Sequence, residues 1–491
     1  MVFNDSRTKE EFQIRVWVYV STKLSVEQIG RSIISQVSLQ KRDMVIPQIV
    51  GHNLEHADLA TLQMLVGMML SEERCLIVWD EDTNSLGEVK KLLQARTLGS
   101  KIIVTTRIKS VANEMNKFFS IQLGRLPYKD CWELFKAEAF PNETVEHQKE
   151  KEAVGKEIVK KCDGVPLAVR ALGHRLWNKP LRSWVEMLHS DLWEHEQNPM
   201  IETISTPVLP SLKISYYYMH RYMRPCFLYF SSAFPKGFTI EKGDLIRRWI
   251  LPAEISWDVI SGGCKCLQDI QTHQTVFFRM NNMIHDLARL VADDEVIVYD
   301  ATTSKGKYHK ERQNCRYKLI LNFSGSSQVH DSMPPTVRAI HFKDCRDVHI
   351  DFGYLMQAKF LRVLDLNACT GAYILRGCIT GWRLLKFLDI SGMKTETLPS
   401  FLSSLHGLQT LNLSKWAIIT GSPSKCASLK LLPPDFGGLQ KLSFLDLSHC
   451  DELQELPDSF RSLVNMIDLN MSFCHQLKRL PTGFLRTWRS L

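Results

Sequence analysis

No apolar run in this 491-residue chain approaches the roughly 18 residues of a membrane span, so the sequence offers no transmembrane helix. The opening, MVFNDSRTKEEF, is polar and does not read as a secretory leader. Thirteen cysteines are present without one C-x-x-C pair, which argues against a disulfide scaffold or a structural metal site. Cys264 and Cys266 form a lone C-x-C, read as incidental. A reducing, cytoplasmic setting fits this usage. The net charge of +8 is spread along the chain, with only short basic clusters such as KYHKERQ at 307–313. A balance this mild is read as solvated surface and does not point to nucleic acid.

What is present divides into three regimes. Residues 1 to about 125 alternate strand and helix patterns. IRVWVYV (14–20), CLIVW (75–79), KIIVTTR (101–107) and a short SIQL (120–123) read as strands. SVEQIGRSIISQV (25–37) and LGEVKKLLQAR (86–96) have helical spacing. Strands separated by helices imply βαβ units and a parallel sheet. Residues 126 to about 300 read as mainly helical, and 301–330 as a polar linker. The remainder is a repeat. VRAIHFKDC, LRVLDLNAC, LKFLDISGM, LQTLNLSKW, LSFLDLSHC and MIDLNMSFC begin at 337, 361, 385, 408, 442 and 466, and LP recurs in phase at 398, 432, 456 and 480. This is the leucine-rich-repeat template L-x-x-L-x-L-x-x-(N/C). A single unit cannot bury its own apolar face, so the units stack into a solenoid. Cysteines at the ninth position, such as Cys369, Cys450 and Cys474, turn the chain inward beneath each strand. On the concave face the pattern places Asp365, Asp389, Asn412, Asp446 and Asn470, a polar and acidic column. It is read as a solvated strand surface in preference to a site for a basic partner.

CLIVWDED (75–82) is a buried strand ending in acids, and it resembles a Walker B element. On its own such a strand end is weak evidence. It is followed in order by GSKIIVTTR (99–107), LPYKDCWELFKAEAF (126–140), CDGVPLAVRALG (162–173), LKISYYYMHRYMRPCFLYFSSAFPKGFTIEKGDLIRRWI (212–250) and RMNNMIHDLARLVA (279–292). This series resembles the plant NB-ARC leucine-rich-repeat immune receptors, the disease-resistance proteins, over nearly the whole chain. FQIRVWVYVS (12–21) and CFLYFSSAFPKGF (226–238) look like their coiled-coil class.

The resemblance implies a parallel α/β nucleotide-binding domain of P-loop type over 1–125, here lacking its first strand and phosphate loop. A helical ARC1 subdomain (126–200) and a winged-helix ARC2 subdomain (201–300) would follow, then the linker and about six repeats over 331–491. It implies ADP at rest and ATP when active, with Mg2+. The repeats would sense a pathogen effector or other protein partner and hold the module closed. Matched residue by residue, Asp80 is the magnesium-binding acid and Glu81 the second acid. Arg107 is the γ-phosphate sensor, and Pro166 packs on the adenine while also stopping a helix.

The departures are as specific. No G-x-x-x-x-G-K-[ST] segment occurs in these residues, although its N–H groups and lysine supply most phosphate binding. The chain is therefore expected to begin after that segment. The family's Met-His-Asp triplet is Met280-Asn281-Asn282 here, so Asn281 stands where a histidine contacts the β-phosphate. His285-Asp286 matches a different, downstream pair. Asp82-Thr83 replaces Val-Trp, and LPAE replaces the usual residues after Trp249-Ile250.

Three functions follow. The first is a defence-receptor relative with an ADP/ATP-dependent switch, its nucleotide binding impaired by the missing loop. The second is a non-switching repeat module or decoy. An active ATPase ranks last, leaving at most a vestigial activity.

Overall fold

The computed structural model describes residues 3, 5–20, 26–40, 58–71, 73–81, 99–106, 112–113, 120–141, 145–193, 209–219, 223–234, 239–253, 267–272, 275–301, 314–323, 333–343, 345–346, 349–350, 355, 357–367, 369–370, 373–374, 382–391, 398, 400–414 and 429–481. They fall into two compact units, Met1–Gly124 and Arg125–Leu491.

In the first unit, a short helix α1 (Ser6–Glu11) precedes a three-stranded parallel sheet of β1 (Ile14–Val20), β2 (Cys75–Glu81) and β3 (Lys101–Thr106), with β2 in the middle. The unbroken apolar run from Cys75 to Trp79 has its physical cause in that central place, and all five residues are buried. Helices α2 (Val26–Gln40) and α3 (Leu59–Ser71) cover one face. Ile29, Ile33, Val37, Leu62, Val66 and Leu70 pack there on Ile14, Val16, Ile77 and Trp79. Edge strand β1 is closed by side chains. The Gln36 carboxamide bonds both N–H and C=O of Trp17 at 3.0 Å, and Gln40 does the same for Arg15 at 3.0 and 2.7 Å. Two amides thus stand in for a neighbouring strand and blunt the edge. The expected strand at 120–123 does not form. Ile121 and Leu123 are 68% and 88% exposed, and no described strand pairs with them. The expected helix at 86–96 and Arg107 lie outside the described residues.

The second unit opens with helices α4 (Tyr128–Ala139), α5 (Val145–Lys161), α6 (Pro166–Leu176), α7 (Leu181–Leu188), α8 (Leu209–Tyr217) and α9 (Met223–Ala233). Phe135, Leu172, Trp184 and Phe230 lie in their shared core. Next come β4 (Thr239–Glu241), α10 (Lys242–Ala253), the hairpin β5 (Leu267–Thr272) and β6 (Thr275–Met280), and α11 (Asn282–Ala292). The three strands form a small antiparallel sheet, β4-β6-β5.

An eight-stranded parallel sheet completes the unit, its strands in chain order: β7 (Val296–Asp300), β8 (Tyr317–Leu321), β9 (Ala339–Lys343), β10 (Val363–Asp365), β11 (Phe387–Asp389), β12 (Thr410–Asn412), β13 (Phe444–Asp446) and β14 (Asp468–Asn470). The last six stand on the repeat starts read from the sequence. Their leucines, among them Leu364, Leu388, Leu411, Leu445 and Leu447, form one continuous core. The Cys450 thiol donates to Leu413 O at 3.2 Å and the Cys474 thiol to Leu447 O at 3.1 Å, each tying one repeat to the one before. The solenoid sheet starts earlier than expected. The span 301–330, read as a linker, contains β8, whose five residues are all buried. YKLIL lacks the repeat template, and its partners β7 and β9 supply the burial that its own sequence does not advertise.

Candidate functional site

The nucleotide-binding candidates are placed as follows. Asp80 lies at the carboxyl end of β2, half-buried, and Thr105 on β3 donates its hydroxyl to the carboxylate at 2.7 Å. That orientation fits a carboxylate holding magnesium through water. Glu81 follows on the same strand. Pro166 is the first residue of α6 and is exposed. It is presented by a tight turn in which Gly164 has φ +72°, where a Cβ would sit 2.9 Å from Leu126 O. Gly164 O in turn accepts the Leu126 N–H at 2.9 Å. Asn281 is committed to structure. Its Oδ1 accepts the Met283 N–H at 2.9 Å and its backbone C=O accepts the His285 N–H, which makes it the cap of α11. His285 is buried and bonds Phe234 O through Nε2 at 2.9 Å, joining α11 to the end of α9.

The repeat column holds the denser chemistry. Asp365, Asp389, Asn412, Asp446 and Asn470 occupy one register row across β10 to β14. Each uses one side-chain oxygen in the same way, accepting the N–H two residues on (Asn367, Ser391, Ser414, Ser448, Ser472) at 2.8–3.1 Å. These Asx turns fix every side chain in the row and aim its second polar atom along the concave face. The solvated reading of the row fails at its amino-terminal end, where Asp365 and Asp389 are 0% and 1% exposed. The cause is a tertiary contact. Tyr317, Ala339, Val363 and Phe387, on the same face, share a core with the preceding helices, so the unit's own helical layer sits on the first repeats.

Arg248 of α10 enters this contact from the side of the helix that also buries Leu245. Its guanidinium pairs with Asp365, lies 3.5 Å from Asp389 and stacks over the Phe387 ring at 4.5 Å. Lys343 and the His341 ring add bonds to Asp365 Oδ2 at 3.2 and 3.1 Å, and Asn412 Nδ2 donates to Asp389 at 3.0 Å. Burial opposes the Asp365 charge, but Arg248 and Lys343 outweigh it and hold that carboxyl well below its usual pKa. Burial, and then the neighbouring Asp365, push Asp389 upward. Burial drives His341 from 6.5 down to about 4, against the pull of its bond to Asp365. The sequence reading missed Arg248, His341 and Lys343. One signal was available: in DLIRRWI an arginine falls three residues after a leucine that faces inward.

His341 gives a pH dependence with a definite sign. Above its unfolded pKa near 6.5 both states are neutral there. As pH falls from 6.5 towards 4, the unfolded chain binds a proton that the folded chain refuses, so stability is lost across that window. The loss attributable to this ring is on the order of 3 kcal/mol. In His341→Gln, the drop in thermal midpoint between pH 7 and pH 4.5 should be smaller than in the parent chain. Equal drops would exclude a buried neutral histidine.

Residues 1–145 match the family model for the NB-ARC domain. Over 480 residues the chain is 28% identical to disease resistance RPP13-like protein 4 of Arabidopsis thaliana, covering 91% of this chain and 52% of that protein. Over 311 residues it is 30% identical to disease resistance protein RGA2 of Solanum bulbocastanum, covering 59% of this chain and 30% of that protein. The chain carries an NB-ARC domain ahead of its leucine-rich repeats and is similar over most of its length to plant disease-resistance proteins. It spans between 30% and 52% of the length of these two relatives. In this family setting, α6 with its Gly-Val-Pro start and α11 with its Asn281 cap lie on the segment between the NB-ARC match and the repeats. Arg248 ties that segment to the repeat sheet. Among the described residues, no helix is long and apolar enough to cross a membrane.

Proposed function

We propose that this protein is a plant immune receptor held at rest by its own repeats. The observation that carries the reading is the seat of Arg248 on Asp365, Asp389 and Phe387: a buried charge cluster closes the concave face of the first repeats over the helical layer. Buried ion pairs of this kind hold well while intact and cost heavily once one partner leaves, which suits a two-state contact. A protein partner, such as a pathogen effector, would bind the repeats and free that layer, in a cytoplasmic setting and with coiled-coil-class signalling. Expressed in leaf tissue at matched protein levels, the Arg248→Ala chain should trigger a defence response without pathogen, while the parent chain stays silent. Silence of Arg248→Ala, Asp365→Asn and Asp389→Asn alike, with all three proteins accumulating, would sink the resting-contact reading.

Nucleotide is the second element of the proposal. ADP or ATP with Mg2+ would meet Asp80, Glu81, Arg107 and Pro166, the positions that match the family's contacts, and would supply the phosphate charge that separates the resting and active states. These 491 residues contain no Gly-rich phosphate loop, and Asn281 is engaged as a helix cap. Both facts favour impaired binding by this chain, and with it the alternative of a repeat module that does not switch. A ligand at a hundredfold excess over its Kd stabilises the native state by about 2.7 kcal/mol. Millimolar ADP is therefore expected to leave the thermal midpoint of this chain unchanged. A reproducible rise, abolished by Arg107→Ala or Pro166→Ala, would show that a site survives without the loop.

A further inference from the structure

The repeat sheet contains the Phe-Leu-Asp part of the Arg248 seat twice, with Asn412 in the second copy at the place that Asp365 takes in the first. In β11 the sequence Phe387-Leu388-Asp389 presents a ring and a carboxylate two residues apart on the concave face, and they hold the buried guanidinium of Arg248. In β13 the sequence Phe444-Leu445-Asp446 repeats those residues in the same register, two strands further on. The central leucine is buried in both, at 3% for Leu388 and 2% for Leu445. Asp446 is oriented by the same Asx turn as Asp389, with Oδ1 on the Ser448 N–H at 2.8 Å. The surroundings differ. The helical layer covers β10 and β11, whereas Phe444 and Asp446 are both half-buried and their partners on the next strand, Asp468 and Asn470, are exposed. Among the described residues, no hydrogen bond reaches Asp446 Oδ2.

The second seat already attracts a guanidinium of this chain. Arg247, beside Arg248 on α10, points to it and rests over the Phe444 ring at 5.4 Å, with Asp468 at 4.0 Å and its own neighbour Asp244 as the closer carboxylate. It therefore sits at the rim of the seat and leaves Asp446 unengaged. A planar cation that stacks on a ring and forks onto an acid is an arginine, and a lysine ammonium does neither as well.

We propose that Phe444, Asp446 and Asp468 form a docking seat for an arginine on a protein partner, which enters beside Arg247 and displaces it from the ring. This goes beyond the proposed resting contact, since it concerns the open half of the concave face and names the chemistry the partner must bring.

The test uses the full chain and two synthetic probes, a Gly-Arg-Gly-Arg-Gly peptide and its lysine counterpart, titrated calorimetrically at low salt. The arginine peptide should bind about fivefold more tightly than the lysine peptide. Phe444→Leu, which keeps every charge, should remove most of that preference. Asp446→Asn, which keeps the Asx turn, should weaken the arginine peptide roughly three- to tenfold. Arg247→Ala should tighten it, because the internal competitor is gone. Equal affinity for the two peptides would overturn the seat, and so would parental affinity in both Phe444→Leu and Asp446→Asn. Neither variant touches Arg248, Asp365 or Asp389, so a failure here leaves the resting contact standing, and loss of that contact leaves this seat testable.

Discussion

Replacing Arg248 with alanine should destabilise the 125–491 unit by about 3–5 kcal/mol, because it removes one member of a buried charge cluster and leaves the others in place. Asp365 and Asp389 are inaccessible to water. With the guanidinium gone, among the described residues Lys343 is the one full positive charge still bonded to Asp365, and Asp389 keeps only the Asn412 amide and its own turn. Arg248→Lys should fall between the parent and the alanine variant, since an ammonium keeps the charge but cannot fork onto two acids while stacking on Phe387. The measurement is the thermal midpoint of the unit, followed by near-UV circular dichroism because Tyr229 and Tyr317 lie in the same contact. Asp389→Asn in the Arg248→Ala background supplies the stricter check. Relieving one stranded carboxylate should recover part of the loss, so the two changes must be non-additive. Strict additivity would mean that the two side chains do not share a cluster.

Leu445→Ala should cost roughly 2–5 kcal/mol, and its neighbour far less. Leu445 is 2% exposed in the solenoid core, between the leucines of the strands on either side. Stacked repeats leave little room to close a cavity, because each strand is pinned by its two neighbours. Asp446→Ala removes the bond to the Ser448 N–H, a loss of about 1 kcal/mol. Urea unfolding of the two variants side by side gives the comparison. Equal costs would put the repeat register one residue out, since a shift of one would exchange the faces of the two side chains.

Much of the fold was legible because it rests on local repetition. The leucine spacing from 337 onwards places β9 to β14 without reference to any distant residue, for each strand pairs with the repeat before it. CLIVW could be read as a central strand because a strand buried on both faces has no polar alternation to hide. SIQL could not be judged in the same way. Its composition allows a strand, but a strand also needs an edge to pair with, and Ile121 and Leu123 find none. YKLIL failed in the other direction, its burial being supplied by β7 and β9. The Asp/Asn column shares one register row, but its surroundings are not uniform along it. The sequence places Asp or Asn at the fifth position of the five units from 361 onwards, with no sign of which copies are covered.

The sequence by itself determined the repeat period, the central parallel strand and its terminal Asp80, the Phe-Leu-Asp motif that occurs twice, and the motif order shared with the disease-resistance proteins. All of these depend on residues close together along the chain. Only the tertiary structure decided that one Phe-Leu-Asp is closed over Arg248, 117 residues from Asp365, while the other stays open. Burial of a charged group is a property of what packs on top of it. Here that is a helix from before the repeats, and no periodicity within them encodes where it lands.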